Sequence, residues 1–173
     1  MNSKILFSSI SGFFAYLLVQ AFLLKNLVIF DTAFCFLYVL YILLLPLEIK
    51  TIPLMIIAFV MGLSIDIFYD SLGMHTASLV AMAFLRNTWI GMIVPTGGYD
   101  ENVQLSVLNM GLGWFFTYSL PLIFLHHLIF FYIDVLGTGL YLIMVNRIWS
   151  SLVFVMILGL MVQVLFYKRR RGI

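Results

Sequence analysis

The chain has 173 residues, of which 64% are apolar or aromatic and only 9% are charged, and its mean hydropathy is +1.16. This composition excludes an ordinary soluble domain and is typical of an integral membrane protein. The net charge of +2 comes from a terminal cluster at 168–171, which argues against nucleic-acid binding, and the single cysteine, Cys35, excludes an intrachain disulfide or a thiolate metal cluster.

The hydropathy pattern predicts six membrane-spanning helices. A helix needs roughly 20 apolar residues to cross a hydrocarbon core of about 30 Å. Segments of this kind lie at 5–24, 33–47, 51–70, 75–93, 104–131 and 142–167. We therefore expect an all-α membrane protein in which residues 1–173 form one domain, a bundle of six transmembrane helices with a basic tail at 168–173.

Lysine and arginine residues near helix ends mark the cytoplasmic side of a membrane protein. With the N-terminus inside the cell, seven of the nine basic residues fall on the cytoplasmic half of the six-helix arrangement. These seven are Lys4, Lys50, Arg86 and the four residues of the cluster 168–171. The exceptions are Lys25 and Arg147. We therefore predict that both termini, including the basic tail, are cytoplasmic.

The connection between the third and fourth helices, GLSIDIFYDSLGMH at 62–75, concentrates polar residues in an apolar chain. Asp66 and Asp70 lie four residues apart on one helical face, which continues backward through Gly62 and Ala58. Small residues let membrane helices approach closely, so this face is expected to pack against protein. Asp66 is then expected to point into the bundle.

A buried carboxylate needs a partner. Arg147 is predicted at a similar depth to Asp66, so we expect the two to pair, or Arg147 to reach toward the headgroups instead. Arg86 lies eleven residues after His75, about 16 Å along a helix and halfway across the core. Either the hairpin tip dips below the surface, or the Arg86 side chain extends toward the inner headgroups.

Two acids and His75 also raise the alternative of a divalent-metal site. Membrane enzymes that transfer phospho-alcohols need further aspartates on two facing helices and basic residues for the phosphates, and this chain lacks that pattern. In the structural alternative, Asp70, Gly73 and His75 shape the turn. We expect no enzyme activity, metal or cofactor. The adjacent residues His126 and His127 raise the alternative of a proton relay or a ligand pair, but they point about 100° apart on a helix, so we expect hydrogen-bonded core or interfacial histidines.

The stretch GLSIDIFYDSLGMHTASLVAMAFLR resembles the central signature of the MreD family, the rod shape-determining membrane proteins of bacteria. The matching positions are Gly62, Asp66, Gly73, His75 and Arg86. The resemblance extends to the length of the chain, the six predicted spans, the histidine-bearing segment LPLIFLHHLIFFYID and the basic tail.

This resemblance implies a non-enzymatic scaffold of the cell-elongation machinery in the bacterial inner membrane, which helps to organise lateral peptidoglycan synthesis and rod shape. It implies MreC as a direct partner, with RodA, a class B penicillin-binding protein and MreB in the wider complex. The implied fold is similar to the S components of energy-coupling vitamin transporters. We hypothesise that the Ala58-Gly62-Asp66 face and the outer hairpin receive a partner helix.

Two other classes of function stay open at this point. A small-solute binding subunit of a transporter would use the outer polar cluster to line a ligand pocket. A lipid-processing enzyme would need a divalent metal. The scarcity of Asn, Gln and Arg in the outer half of the predicted bundle argues against a polar-ligand site.

Overall fold

The computed structural model describes residues 3–99 and 104–167, and this part of the chain is mostly helical. Its elements are α1 (Ser3–Leu18), continued by a π-helical turn (Val19–Leu24), β1 (Val28–Ile29), β2 (Ala33–Phe34), α2 (Tyr38–Leu44), α3 (Thr51–Tyr69), α4 (Met74–Met92), α5 (Val107–Met110), α6 (Leu112–Asp134) and α7 (Tyr141–Phe166). The basic tail at 168–173 lies outside the described residues.

Within the described residues, four helical segments are long and apolar enough to cross a membrane. They are Leu6–Leu24, Thr51–Tyr69, Leu112–Asp134 and Tyr141–Phe166. The prediction of a helical membrane protein is thereby confirmed in its coarse form. α3, α4 and α7 also begin and end close to the predicted boundaries.

The prediction of a helix at 33–47 is wrong. Only Tyr38–Leu44 is helical, and the residues before it form the short antiparallel ladder of β1 and β2. The helix ends before Pro46, because proline disfavours helical geometry in the residue that precedes it, and Leu45 accordingly has the extended ψ of 150°. All residues from 35 to 45 are buried. A run that is apolar on every side has no periodicity, so its sequence does not distinguish a spanning helix from a buried mixed segment.

The prediction of one helix at 104–131 is also wrong. Gly111 has φ 83° and ψ 161°, a conformation that side-chain-bearing residues avoid, and it separates α5 from α6. α6 then continues to Asp134 despite an internal proline, Pro121. Proline cannot donate to the carbonyl four residues earlier, here Thr117, and the indole N–H of Trp89 bonds that carbonyl instead at 3.2 Å.

The packing places α2 at the centre of the described bundle. α3 packs on α4, α4 on α6, α6 on α7, and α7 on β2. α2 contacts α1, α3 and α4, while Leu40 lies against Gly159 of α7. The outer faces of the helices are apolar, as at Ile52, Phe59 and Ile67, and this surface suits contact with lipid.

Candidate functional site

Asp66 is the organising residue of the α3–α4 hairpin. Its carboxylate accepts hydrogen bonds from Ser71 Oγ at 2.6 Å, from the backbone N–H groups of His75 at 3.0 Å and Thr76 at 2.9 Å, and from Thr76 Oγ1. The first N–H groups of a helix have no partner inside the helix. Asp66 therefore caps the N-terminus of α4 from the neighbouring helix, which explains how the carboxylate is accommodated although only 5% of the residue is exposed.

The predicted pairing of Asp66 with Arg147 is wrong. Arg147 Nη1 donates instead to Asp134 Oδ2 at 2.8 Å, and its guanidinium lies over the ring of Phe34. The Arg147 side chain is 29% exposed, which agrees better with the alternative that it lies toward the surface. The prediction failed because hydroxyl and backbone donors within ten residues of Asp66 already satisfy its carboxylate.

The small-residue face of α3 packs against α4, and the two helix backbones approach closely at Gly62. A Cβ on Gly62 would lie 2.5 Å from Thr76 Cα and 2.9 Å from Thr76 N. Ala58 is fully buried on the same face. α4 therefore covers Gly62 and Asp66, and Ala58 is buried on the same face, so these described residues leave no groove for a partner helix there.

The turn between α3 and α4 has the tight geometry that its sequence predicts. Asp70 adopts the left-handed conformation at the end of α3, where its N–H bonds Asp66 O. Gly73, with φ 89°, precedes α4 in the same region. Asp70 is exposed and Leu72 is fully exposed at the tip. Asp70 and Gly73 thus shape the turn, while Asp66 stabilises it from inside.

His75 belongs to a buried hydrogen-bonded chain that reaches three helices. The hydroxyl of Tyr38 in α2 lies 2.7 Å from His75 Nδ1 and 2.8 Å from His126 Nε2. Ser78 Oγ lies 3.2 Å from the same nitrogen of His126 and donates to Met74 O at 2.7 Å. Tyr38 links the two rings when His126 Nε2 donates to the Tyr38 hydroxyl and that hydroxyl donates to His75 Nδ1. The other two ring nitrogens, His75 Nε2 and His126 Nδ1, have no hydrogen-bond partner among the described residues.

His127 confirms the expectation for the adjacent histidine pair. Its Nδ1 bonds the carbonyl oxygen of Ile123 at 2.8 Å, one turn earlier in α6. His126 and His127 are both fully buried and hydrogen-bonded, and they point to different partners. The pair is therefore two core residues and not one two-histidine site.

Gln20 connects the π-helical turn to the same region. Its side-chain N–H group donates to Cys35 O at 2.8 Å and to the Tyr69 hydroxyl at 2.6 Å. Its carbonyl oxygen accepts from Tyr38 N at 3.4 Å. Sequence reasoning missed Gln20, Tyr38 and Ser78. The signal for Gln20 is a single amide inside a predicted span whose other polar side chains are all hydroxyls.

Arg86 is fully buried near the end of α2. Its Nε donates to the Tyr118 hydroxyl at 2.8 Å, and its Nη2 donates to the carbonyls of Leu45 and Leu43. Tyr118 in turn donates to Leu43 O at 2.9 Å. Of the two alternatives for Arg86, the extension of its side chain toward the headgroups is therefore wrong, because the side chain is buried against α2. The guanidinium instead satisfies carbonyls at the helix C-terminus, where the partial charge is negative.

The described polar groups thus form a structural network. Tyr38, His75, Ser78, Arg86 and His126 have no exposed surface, so no solute-sized space adjoins them. The described residues contain no group of three or more His, Cys, Asp or Glu side chains that could hold a metal ion. Chemically, this arrangement fixes the relative positions of α2, α3, α4 and α6.

Comparison with known proteins gives no match: no protein-family model, no curated protein and no solved structure is significantly similar to this chain.

Proposed function

We propose that this chain is a non-enzymatic membrane scaffold of the bacterial cell-elongation machinery, of the MreD type. The observation that supports this proposal is the structural role of the signature residues in the α3–α4 hairpin. Gly62 sets the approach of two helices, Asp66 caps one of them, and His75 and Arg86 bond to α2 or its neighbours. Each of these residues stabilises the bundle.

A scaffold accounts for this geometry better than a catalyst does. A catalytic carboxylate needs an oxygen that can reach a substrate or metal. Both oxygens of Asp66 are occupied by donors from Ser71, His75 and Thr76. A transporter subunit would need space beside the polar cluster, and the fully buried side chains of His75 and His126 have none.

The proposal includes six membrane crossings with both termini in the cytoplasm. The segment 33–47 serves as the second crossing although its helix has only seven residues. Residues 33–36 contribute at most about 13 Å and the helical residues 37–44 about 12 Å, which together approach the thickness of a hydrocarbon core. Its buried position inside the bundle satisfies the condition for non-helical backbone at membrane depth.

The proposed direct partner is MreC, a single-span protein with a large periplasmic domain, with RodA, a class B penicillin-binding protein and MreB in the wider complex. Contacts with MreC would use lipid-facing helix surfaces or the loop tips, since the small-residue face of α3 is already occupied. The expected likeness to vitamin-transporter S components stays a prediction, which an experimental structure would test.

Affinity purification from the protein's own membranes tests this proposal. The tagged full chain is extracted in mild detergent, and the proteins that co-purify are identified by mass spectrometry, with an unrelated tagged membrane protein as the control. We expect MreC to be enriched over the control. Recovery of an ATPase and a coupling subunit in place of MreC would contradict the proposal and would favour the solute-binding subunit of a transporter.

A further inference from the structure

A groove between α1 and α3 opens toward the lipid phase. Its volume is about 320 Å³, and Ile10 and Phe13 of α1 face Ile56 and Val60 of α3 across it, with Tyr41 of α2 also in the lining. The side chains that line it are nearly all apolar. A hydrocarbon chain is the kind of ligand that such a surface binds.

A second recess lies beside the groove. Its volume is about 480 Å³, and its lining is more polar, with Glu48, Lys50, Thr51 and Asn87. Ile49 lines both the groove and this recess, so the two adjoin at this residue. An apolar groove beside a recess that carries charged side chains has the division of a lipid into acyl chain and headgroup.

The dimensions also fit one leaflet of a bilayer. The recess with Glu48 and Lys50 lies at the N-terminus of α3, and the groove follows that helix as far as Val60. The nine helical steps from Thr51 to Val60 span about 14 Å, close to half of a 30 Å core. An acyl chain in the groove would therefore run from the membrane surface toward the midplane.

The charges in the recess suit a zwitterionic headgroup. Glu48 and Lys50 are both exposed, carry opposite charges and form no salt bridge with any described residue. Lys50 suits a phosphate, and the Glu48 carboxylate suits a primary ammonium that can donate hydrogen bonds to it. We propose that the α1–α3 groove and the Glu48–Lys50 recess bind one phospholipid of the phosphatidylethanolamine type, an inference that does not rest on the proposed scaffold function.

Native mass spectrometry of the purified full chain tests this assignment. The protein is equilibrated with mixed micelles that contain equal amounts of dioleoyl phosphatidylethanolamine, phosphatidylglycerol and phosphatidylcholine. We expect one phosphatidylethanolamine to be retained in preference to the other two lipids. Ile56→Trp, which fills the groove, should lower its retention roughly tenfold because the acyl chain loses its burial.

Ile52→Trp is the matched control, because Ile52 is 73% exposed on the same helix but does not line the groove. Its lipid retention should equal that of the unmodified protein. Val60→Trp provides a second groove-filling change in case Ile56→Trp lowers the yield of folded protein. Glu48→Gln should abolish the preference for phosphatidylethanolamine over phosphatidylglycerol.

Three results would overturn the assignment. The first is equal retention by the Ile56→Trp, Val60→Trp and Ile52→Trp proteins. The second is a preference of the unmodified protein for phosphatidylglycerol or phosphatidylcholine. The third is loss of all lipid from the unmodified protein at detergent concentrations that leave it folded.

Discussion

Gly62 brings the backbones of α3 and α4 together more closely than any residue with a side chain permits. The atoms that a Cβ would meet belong to the backbone of Thr76 and His75, which cannot rotate away as a side chain can. The same contact places Thr76 where its N–H and hydroxyl reach Asp66. One glycine therefore determines both the packing and the polar cap of the hairpin.

Gly62→Ala should destabilise the protein. We expect the free energy of unfolding to fall by about 1–3 kcal/mol, because the added methyl forces a backbone shift in a packed interface. Denaturation in detergent, followed by circular dichroism, measures this change. Gly91→Ala is the control: a Cβ there meets nothing within 4 Å and the residue lies in the last turn of α4, so the change should alter stability by less than about 0.5 kcal/mol. Equal effects of the two changes would refute the role of Gly62.

Asp66→Asn should also lower the free energy of unfolding, by about 1–3 kcal/mol. The amide keeps one acceptor oxygen but presents N–H groups to donors that need an acceptor. Asp70→Asn, at the exposed residue one turn later, should change stability by less than about 0.5 kcal/mol. The same denaturation measurement compares the two proteins, and a larger effect at Asp70 would contradict the assignment.

The sequence predicted that Asp66 is buried but not what binds it. Its spacing from Gly62 and Ala58 predicted the packed face, because small residues at helical intervals let a neighbouring helix approach closely. The partner depended on the turn geometry of residues 70–73, which brings Ser71 and Thr76 onto the carboxylate. Arg147 was predicted as the partner only because it lies at a similar predicted depth in the membrane. A similar depth does not place two side chains in contact.

At the scale of elements, α2 is the part of the structure that the sequence describes least well. Its residues are apolar on all sides, so no period separates helix from extended chain. Two features of the structure end this helix. Pro46 follows Leu45, and the guanidinium of Arg86 donates a hydrogen bond to the carbonyl oxygen of Leu45. The long apolar helices and the turn at 70–73 were predictable, because their length and turn residues carry strong local signals.

Arg86→Lys should destabilise α2 although it preserves the charge. A lysine ammonium lacks the planar fork with which Arg86 reaches both Tyr118 and the carbonyls of Leu43 and Leu45. We expect a loss of about 1–3 kcal/mol in unfolding free energy, measured by denaturation in detergent. Arg147→Lys, in a partly exposed pair with Asp134, should cost at most about 1 kcal/mol. An unchanged free energy of unfolding in the Arg86→Lys protein would show that the guanidinium does not stabilise the end of α2.

At the scale of the whole molecule, the proposed six crossings depend on the segment 33–47. The described structure has four helical segments that meet the length and hydropathy criteria for spanning. α4 falls outside them although it has 19 residues, and it carries the buried Arg86 and its neighbour Asn87. Polar residues that are hydrogen-bonded inside the bundle thus lower the mean hydropathy by which a spanning helix is recognised.

Cysteine labelling tests the crossings directly. The native Cys35 is 3% exposed and should not react, so single cysteines introduced at exposed sites report the side on which they lie. We expect Asp31→Cys and Asp70→Cys to react with an impermeant maleimide in intact cells with a permeable outer envelope. Glu48→Cys should react only after the inner membrane is opened. Labelling of positions 31 and 48 from the same side would contradict a crossing by 33–47.

The central claim is that the polar residues of the hairpin act through the fold and not through chemistry. The most direct test measures cell shape in cells that depend on the Asp66→Asn protein, with its expression adjusted until the folded amount in the membrane equals that of the unmodified protein. The account predicts that rod shape is restored at this matched amount. Rounded cells, despite an equal amount of folded protein and undiminished recovery of MreC, would contradict it, because the Asp66 carboxylate would then have a role beyond folding and partner binding.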